Sequence, residues 1–211
     1  HEPLPIRLAT QDLQNDFARV FGATPRIVTR RQDAGPVTLM IGEEAEIPPD
    51  MRPGTLMKPE SFSISVHGAA WNPATHAVVL TGPDVRGTMY AIYQFSQDYL
   101  GVDPMYYWTD RQPERRSSIA LPDSLERLFP PPLFKYRGFF INDEDWGLNP
   151  WASKTFDQQF GHIGPKTYAK VFELMLRLRL NYLWPAMHPC SKEFGSVPEN
   201  AALADQFGVI I

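Results

Sequence analysis

Three adjacent carboxylates, Asp143, Glu144 and Asp145, follow Asn142 at the end of the apolar run Phe139-Phe140-Ile141 and lead into Trp146 and Trp151. Like charges side by side repel, so either water solvates them on a surface turn or a ligand needs them. Carboxyl pairs about 6.5–9.5 Å apart, with a water between, serve as acid and base in inverting glycoside cleavage. Adjacent residues at a strand end point to opposite sides, so Asp143 and Glu144 do not by their spacing form such a pair. Their simpler chemistry is to accept hydrogen bonds from sugar hydroxyls. Trp146 and Trp151 could offer aromatic faces to sugar rings, although tryptophans in a long loop equally well form the loop's own core. A D-E-D turn by itself is also an ordinary solvated connection.

Other chemistries find little support. His188 and Cys190 have no further ligand cluster near them in sequence, so a zinc site is not expected. The segment GPDVRG lacks the lysine and glycine spacing of a phosphate loop. The five histidines are scattered and form no Ser-His-Asp or Cys-His arrangement. No cofactor and no metal are therefore expected. The formal net charge of -4, with Lys and Arg spread along the chain, gives no footprint for nucleic acid. No apolar run approaches the roughly 18 residues of a membrane span, and the single cysteine excludes an intrachain disulfide framework.

The elements that must position these residues follow from periodicity and from the 21 prolines, which act as punctuation. A hydrophobic fraction of 43% is ample for a core, and 211 residues exceed one typical domain. Ile6 to Leu8 reads as a short strand and Gln11 to Phe21 as an amphipathic helix ended by Gly22. Arg26 to Thr29 and Val37 to Ile41 read as strands. Ser61 to Val66 alternates as a half-buried strand, with His76 to Gly82 as its partner. The segment from Asp84 to Leu100 reads as a helix with Gly101 as its C-cap. This makes residues 1–130 an α+β N-terminal domain, bounded by the stiff run Pro130-Pro131-Pro132.

Residues 131–211 change pattern. Tyr136 to Ile141 reads as a continuous apolar strand buried on both faces. A long connection follows, then a helix from Pro165 with Val171, Phe172, Met175 and Leu178 inward and Lys170, Glu173, Arg177 and Arg179 outward. Asn181 to Met187 reads as a second strand, Glu199 to Phe207 as a second helix capped by Gly208, and Val209 to Ile211 as the start of a third strand. Alternation of this kind implies a parallel sheet, here the first units of a (β/α)8 TIM-type barrel that stops at Ile211, as expected of a piece of a longer protein. The acidic run would then lie at the C-terminal end of the first strand, and Trp184, Met187 and His188 would reach the same rim.

The segments FKYRGFFINDEDWGLNPWA, IGPKTYAKVFELMLRLRLNYLWPAM and PENAALADQFGVII closely resemble glycoside hydrolase family 115, the xylan α-1,2-glucuronidases. The preceding VVLTGPDVRGTMYAIYQFSQDYLGVDPMYYW is similar to the α+β domain that precedes the barrel in that family, in hexosaminidases and in family 67 α-glucuronidases. The resemblance implies an enzyme that removes glucuronic acid or its 4-O-methyl form from glucuronoxylan or its oligosaccharides. It also implies an inverting mechanism whose carboxylates lie beyond Ile211, so that the 211 residues alone would be inactive. It places Asn142, Asp143, Glu144, Trp146 and Trp184 at the sugar pocket. One departure stands out: after Met187 the family usually continues with a Trp and an acidic, Asn-containing loop, where this chain reads HPCSKEF. A secreted or periplasmic location is expected, with the signal peptide outside these residues, and a homodimer is one assembly open to the full-length protein. A hexosaminidase-like barrel glycosidase and a non-catalytic carbohydrate-binding descendant are the rival readings.

Overall fold

The computed structural model describes residues 2–55, 57–68, 76–141, 145–189 and 191–211. The chain divides into two compact units, His1–Leu133 and Phe134–Ile211. The first is a four-stranded sheet of order β1-β3-β2-β4 with two long helices, α1 (Leu4–Phe21) and α2 (Val85–Phe95). The strands are β1 (Val37–Glu43), β2 (Phe62–Gly68), β3 (His76–Gly82) and β4 (Glu126–Phe129). β3 runs parallel to β1 and antiparallel to β2, and β4 is antiparallel to β2.

The expected strand at Ile6 to Leu8 is instead the beginning of α1, which starts at Leu4. Prolines suit a first helical turn. Ile6, Ala9, Leu13, Asp16 and Val20 are the buried positions, and their spacing is a helical stripe that continues through the segment read as extended. Arg26 to Thr29 forms no strand. Carboxylates hold α1 to α2 and to the turn after it: Asp12 accepts from Tyr93 of α2 at 2.7 Å, and Asp16 accepts from Ser96 Oγ at 2.6 Å and from Arg19 of α1 itself at 3.0 Å. Asp84 caps α2 by accepting from the backbone N–H of Gly87 at 2.7 Å. α2 continues as a π-helical turn over Ser96–Leu100 and ends at Gly101, whose φ of 73° is the left-handed conformation glycine adopts freely. β2 is not half-buried as its alternation suggests. It is flanked by strands on both sides and covered by α2, so Ser63 and Ser65 are as buried as Phe62 and Ile64.

The second unit contains the parallel pair β5 (Gly138–Phe140) and β6 (Tyr182–Trp184), with α3 (Leu148–Thr155) and α4 (Pro165–Arg177) between them and α5 (Pro198–Phe207) after β6. The expected strands at Tyr136 to Ile141 and Asn181 to Met187 are thus much shorter, and the third is reduced to a parallel bridge between Tyr182 and Ile210. β5 is not buried on both faces: Phe140 is 42% exposed and Tyr136 57%. Gly138 makes the pairing possible, because a Cβ there would lie 1.6 Å from the carbonyl oxygen of Tyr182. The buried Asn181 joins the strand entrances, donating to the Lys135 carbonyl at 2.7 Å and accepting from the Arg137 N–H at 2.9 Å.

Tyr168, Val171, Phe172, Met175 and Leu176 form the buried stripe of α4. Tyr168 meets Phe194 edge-on at 4.8 Å, and Phe172 meets Phe207 of α5 at 5.8 Å. Two residues expected on the outer face are buried instead: Glu173 and Arg177 pair at 3.0 Å, with Lys170 on the second carboxylate oxygen at 2.8 Å. Leu178, expected inward, is 43% exposed at the helix end. The i, i+4 spacing lets the buried pair satisfy itself within one helix, which is how two charges tolerate burial.

Candidate functional site

β5 and β6 are in register Phe140 to Trp184, and Ile141 N–H extends the ladder to the Trp184 carbonyl at 3.0 Å. The two chains therefore leave the sheet side by side at their C-terminal ends, the side where open parallel sheets and barrels hold their sites. On one face of the pair, Phe140 and Trp184 pack with ring centroids 5.3 Å apart, and Trp184 remains 55% exposed. Trp146, in the turn before α3, is 90% exposed.

Asp145 and His188 meet at this edge. The imidazole Nδ1 lies 3.2 Å from Asp145 Oδ2, with the side chains 54% and 42% exposed. His188 is thus partnered by a carboxylate from the other strand's end, a contact that sequence spacing does not reveal. Asn142, Asp143 and Glu144, expected beside them, lie outside the described residues, as does Cys190. Trp151 stacks on Phe156 at 5.3 Å and so packs within its own loop.

The connection from Trp146 to Gly164 is anchored by a residue that sequence reasoning missed. Asp157 is fully buried and accepts from the backbone N–H groups of Gly164 (3.2 Å), Lys166 (3.1 Å) and Thr167 (2.9 Å), and from the Thr167 hydroxyl at 2.5 Å. The carboxylate thereby caps α4 from upstream, where free N–H groups and the helix dipole favour negative charge. The cue in the sequence was an Asp shortly ahead of Gly164-Pro165, but the looping back that brings it there is not periodic.

Elsewhere the chemistry is sparse. A groove of about 570 Å³ in the first unit is lined by residues that include Gln97, Asp103, Arg111, Glu114 and Arg116, with no aromatic side chain among them. The carboxyls of Glu43 and Glu2 are pushed up, in each case first by burial and then by neighbouring acids, Glu46 foremost. Both belong to the first unit. No group of three or more His, Cys, Asp or Glu able to hold a metal occurs among the described residues. Nor is any described helix long and apolar enough to cross a membrane.

The second unit is thus of the parallel α/β class, with aromatic and ionic side chains gathered at the carboxyl ends of its strands. Residues 130–211 match the family model of glycosyl hydrolase family 115, and the chain belongs to that family. The whole chain is also similar to a solved structure, the family GH115 4-O-methyl-α-glucuronidase BtGH115A, described as having specificity for decorated arabinogalactans. The match has a TM-score of 0.82 and 33% identity, and covers 99% of this chain and 27% of that one. The chain therefore spans about a quarter of the length of the solved enzyme. No curated protein matches it.

Proposed function

We propose that the chain is part of a glycoside hydrolase that removes glucuronic acid, or its 4-O-methyl form, from the side chains of plant glycans. In this reading β5, β6 and the segment at Ile210 are the first strands of a (β/α)8 barrel. The open face bearing Phe140 and Trp184 is what such a barrel turns inward, where side chains from the remaining strands fill it. The observation that carries the reading is that the unit matching the family holds open tryptophans and a carboxylate–imidazole pair at the carboxyl ends of two parallel strands.

Asn142, Asp143, Glu144, Trp146 and Trp184 would form one wall of the sugar site, with carboxylates accepting from sugar hydroxyls and indoles stacking on ring faces. The acid and base of an inverting cleavage, two carboxyl groups about 6.5–9.5 Å apart, would come from later strands. A secreted or periplasmic setting suits a polymeric glycan substrate. The glycan backbone is xylan or arabinogalactan, the second because of the solved enzyme's described specificity.

The test is to incubate the full-length protein with 4-O-methyl-glucuronate-decorated xylan and arabinogalactan oligosaccharides, and with aryl hexosaminides as the rival substrate. Released uronic acid, first appearing with inverted configuration by NMR, supports the reading. Turnover of hexosaminides without release of uronic acid overturns it.

A further inference from the structure

The groove of about 570 Å³ in the first unit lies between the turn that ends α2 and the segment from Arg111 to Arg116. Gln97, on its lining, stands on the π-helical turn Ser96–Leu100. Such turns are rare and collect at functional sites. Gly101 closes the turn, and a Cβ there would lie 2.9 Å from Arg116 Nη2. The Arg116 guanidinium, which donates to the Tyr99 carbonyl at 3.2 Å, is thereby laid against the backbone as part of the wall. Arg111 follows Asp110, whose φ of 55° is a left-handed conformation that costs any residue with a Cβ, least for Asp and Asn. Strained backbone of this kind clusters at ligand sites. The charges of the lining balance, Arg111 and Arg116 against Asp103 and Glu114, with the amides of Gln97 and Gln112 beside them. Asp103 is engaged by the Met105 N–H at 2.8 Å. The side chains of Gln97, Arg111, Gln112 and Glu114 are exposed and make no hydrogen bond or ion pair among the described residues, so folding does not use them. A guanidinium fork matches a carboxylate with two parallel hydrogen bonds. The amides donate to and accept from hydroxyls, and the Glu114 carboxylate accepts from them. With no aromatic ring on the lining, stacking on a neutral sugar face is not on offer. A ligand that carries both a carboxylate and hydroxyls satisfies the whole set.

We propose that this groove is a carbohydrate-binding site that holds a uronic acid of the glycan, with Arg111 gripping its carboxylate and Gln97, Gln112 and Glu114 its hydroxyls. This rests on the reading of the chain as part of a glucuronate-releasing hydrolase, and adds to it a place on the first unit that selects an acidic sugar over a neutral one.

The experiment is affinity electrophoresis of the full-length protein in the cold, through gels that contain glucuronate-decorated xylan or arabinogalactan. Each polymer is used in its native form and with its carboxyl groups reduced to alcohols. Wild type is compared with Arg111→Gln, Arg111→Lys and Gln112→Ala. The expected result is that Arg111→Gln binds the native polymer about tenfold or more weakly than wild type, the scale of a lost charge-assisted hydrogen bond. Its binding to the reduced polymer should stay within roughly twofold, an uncharged ligand losing at most a weak contact. Arg111→Lys keeps the charge and loses the fork, so its binding should fall between wild type and Arg111→Gln. Gln112→Ala should weaken both forms by one similar, smaller factor, because it removes a neutral partner. Melting temperatures should hold, since these side chains are exposed and hold no partner in the fold. Native-polymer binding unchanged in Arg111→Gln, or equal loss for both forms, overturns the proposal, and uronic acid released by the same protein keeps the hydrolase reading intact. A wild-type protein retarded by no native polymer overturns the proposal as well. If that protein also releases no uronic acid, the hydrolase reading fails with it.

Discussion

Asp157→Ala removes the carboxylate that ties the long connection after β5 to the start of α4, and the structure fixes what is lost. Four hydrogen bonds to a charged acceptor disappear, from Gly164, Lys166 and the two donors of Thr167, at a site with no solvent access. Each such bond contributes about 1.5–3 kcal/mol, but they share one acceptor and water can enter the vacated space, so the sum overstates the loss. Breaking a buried charged network costs about 3–5 kcal/mol, and we expect that range here. It is a large share of the roughly 5–15 kcal/mol that holds a typical protein folded. Asp157→Asn should cost less, about 1.5–3 kcal/mol. Its amide oxygen can keep the three donors now on Oδ2, but its NH2 would face the Lys166 N–H as donor to donor. Urea unfolding followed by circular dichroism measures the cost, and native-state hydrogen exchange at Lys166 and Thr167 localises it to the helix start. An Asp157→Ala protein within about 0.5 kcal/mol of wild type, the range of ordinary surface changes, would refute the capping role. So would an Asp157→Asn protein less stable than Asp157→Ala.

Gly138→Ala should remove the second unit's fold, because its methyl group would lie 1.6 Å from the Tyr182 carbonyl and only separation of the strands relieves that. A melting temperature equal to wild type would refute the close approach. Glu43→Gln should stabilise the protein at neutral pH. The Glu43 carboxyl is pushed up by burial and then by Glu46 and Asp84, so the folded state holds its proton more tightly than the unfolded chain. The stability this proton linkage provides is present at low pH and lost as pH rises through the folded pKa, leaving an ionised, repelled carboxylate. The variant's advantage in urea midpoint should therefore be present at about pH 7 and vanish below about pH 4, where an ordinary Glu is protonated. An advantage that persists in acid contradicts the mechanism.

Periodic features were legible in the sequence, and long-range pairings were not. The helices α2, α4 and α5 and the C-cap glycines Gly22, Gly101 and Gly208 follow from local rules, and all appear. The Ile6 to Leu8 misreading has a local cause as well: three residues are too few to tell a strand from a helical turn, and the deciding contacts of Asp12 and Asp16 lie on α2 and its π-helical turn. Glu173 and Arg177 look like a solvated face because charge predicts exposure, but an i, i+4 pair can bury itself. At the site, the exposed aromatics were legible as residue types, and Trp146 and Trp184 are open in the structure. The pairing of Asp145 with His188 was not, because it depends on a strand register that no short window of sequence specifies.

That register also explains how so short a pair of strands can hold a site. Three residues on each side give few ladder hydrogen bonds, so the alignment needs support from both ends. At the entrance Asn181 bridges Lys135 and Arg137, and the Arg137 side chain donates to the Arg179 carbonyl at 2.9 Å. In the middle Gly138 lets the backbones approach. At the exit Ile141 bonds to Trp184, and the chain beyond β5 is held by Asp157 under α4. A slip of one residue would turn Trp184 to the opposite face, away from Phe140, and would separate the two exits from which Asp145 and His188 meet. The side chains proposed to touch a sugar thus rely on a glycine, a buried amide and a buried carboxylate that touch none. Changes at Gly138 or Asp157 are therefore expected to reach the rim through the register.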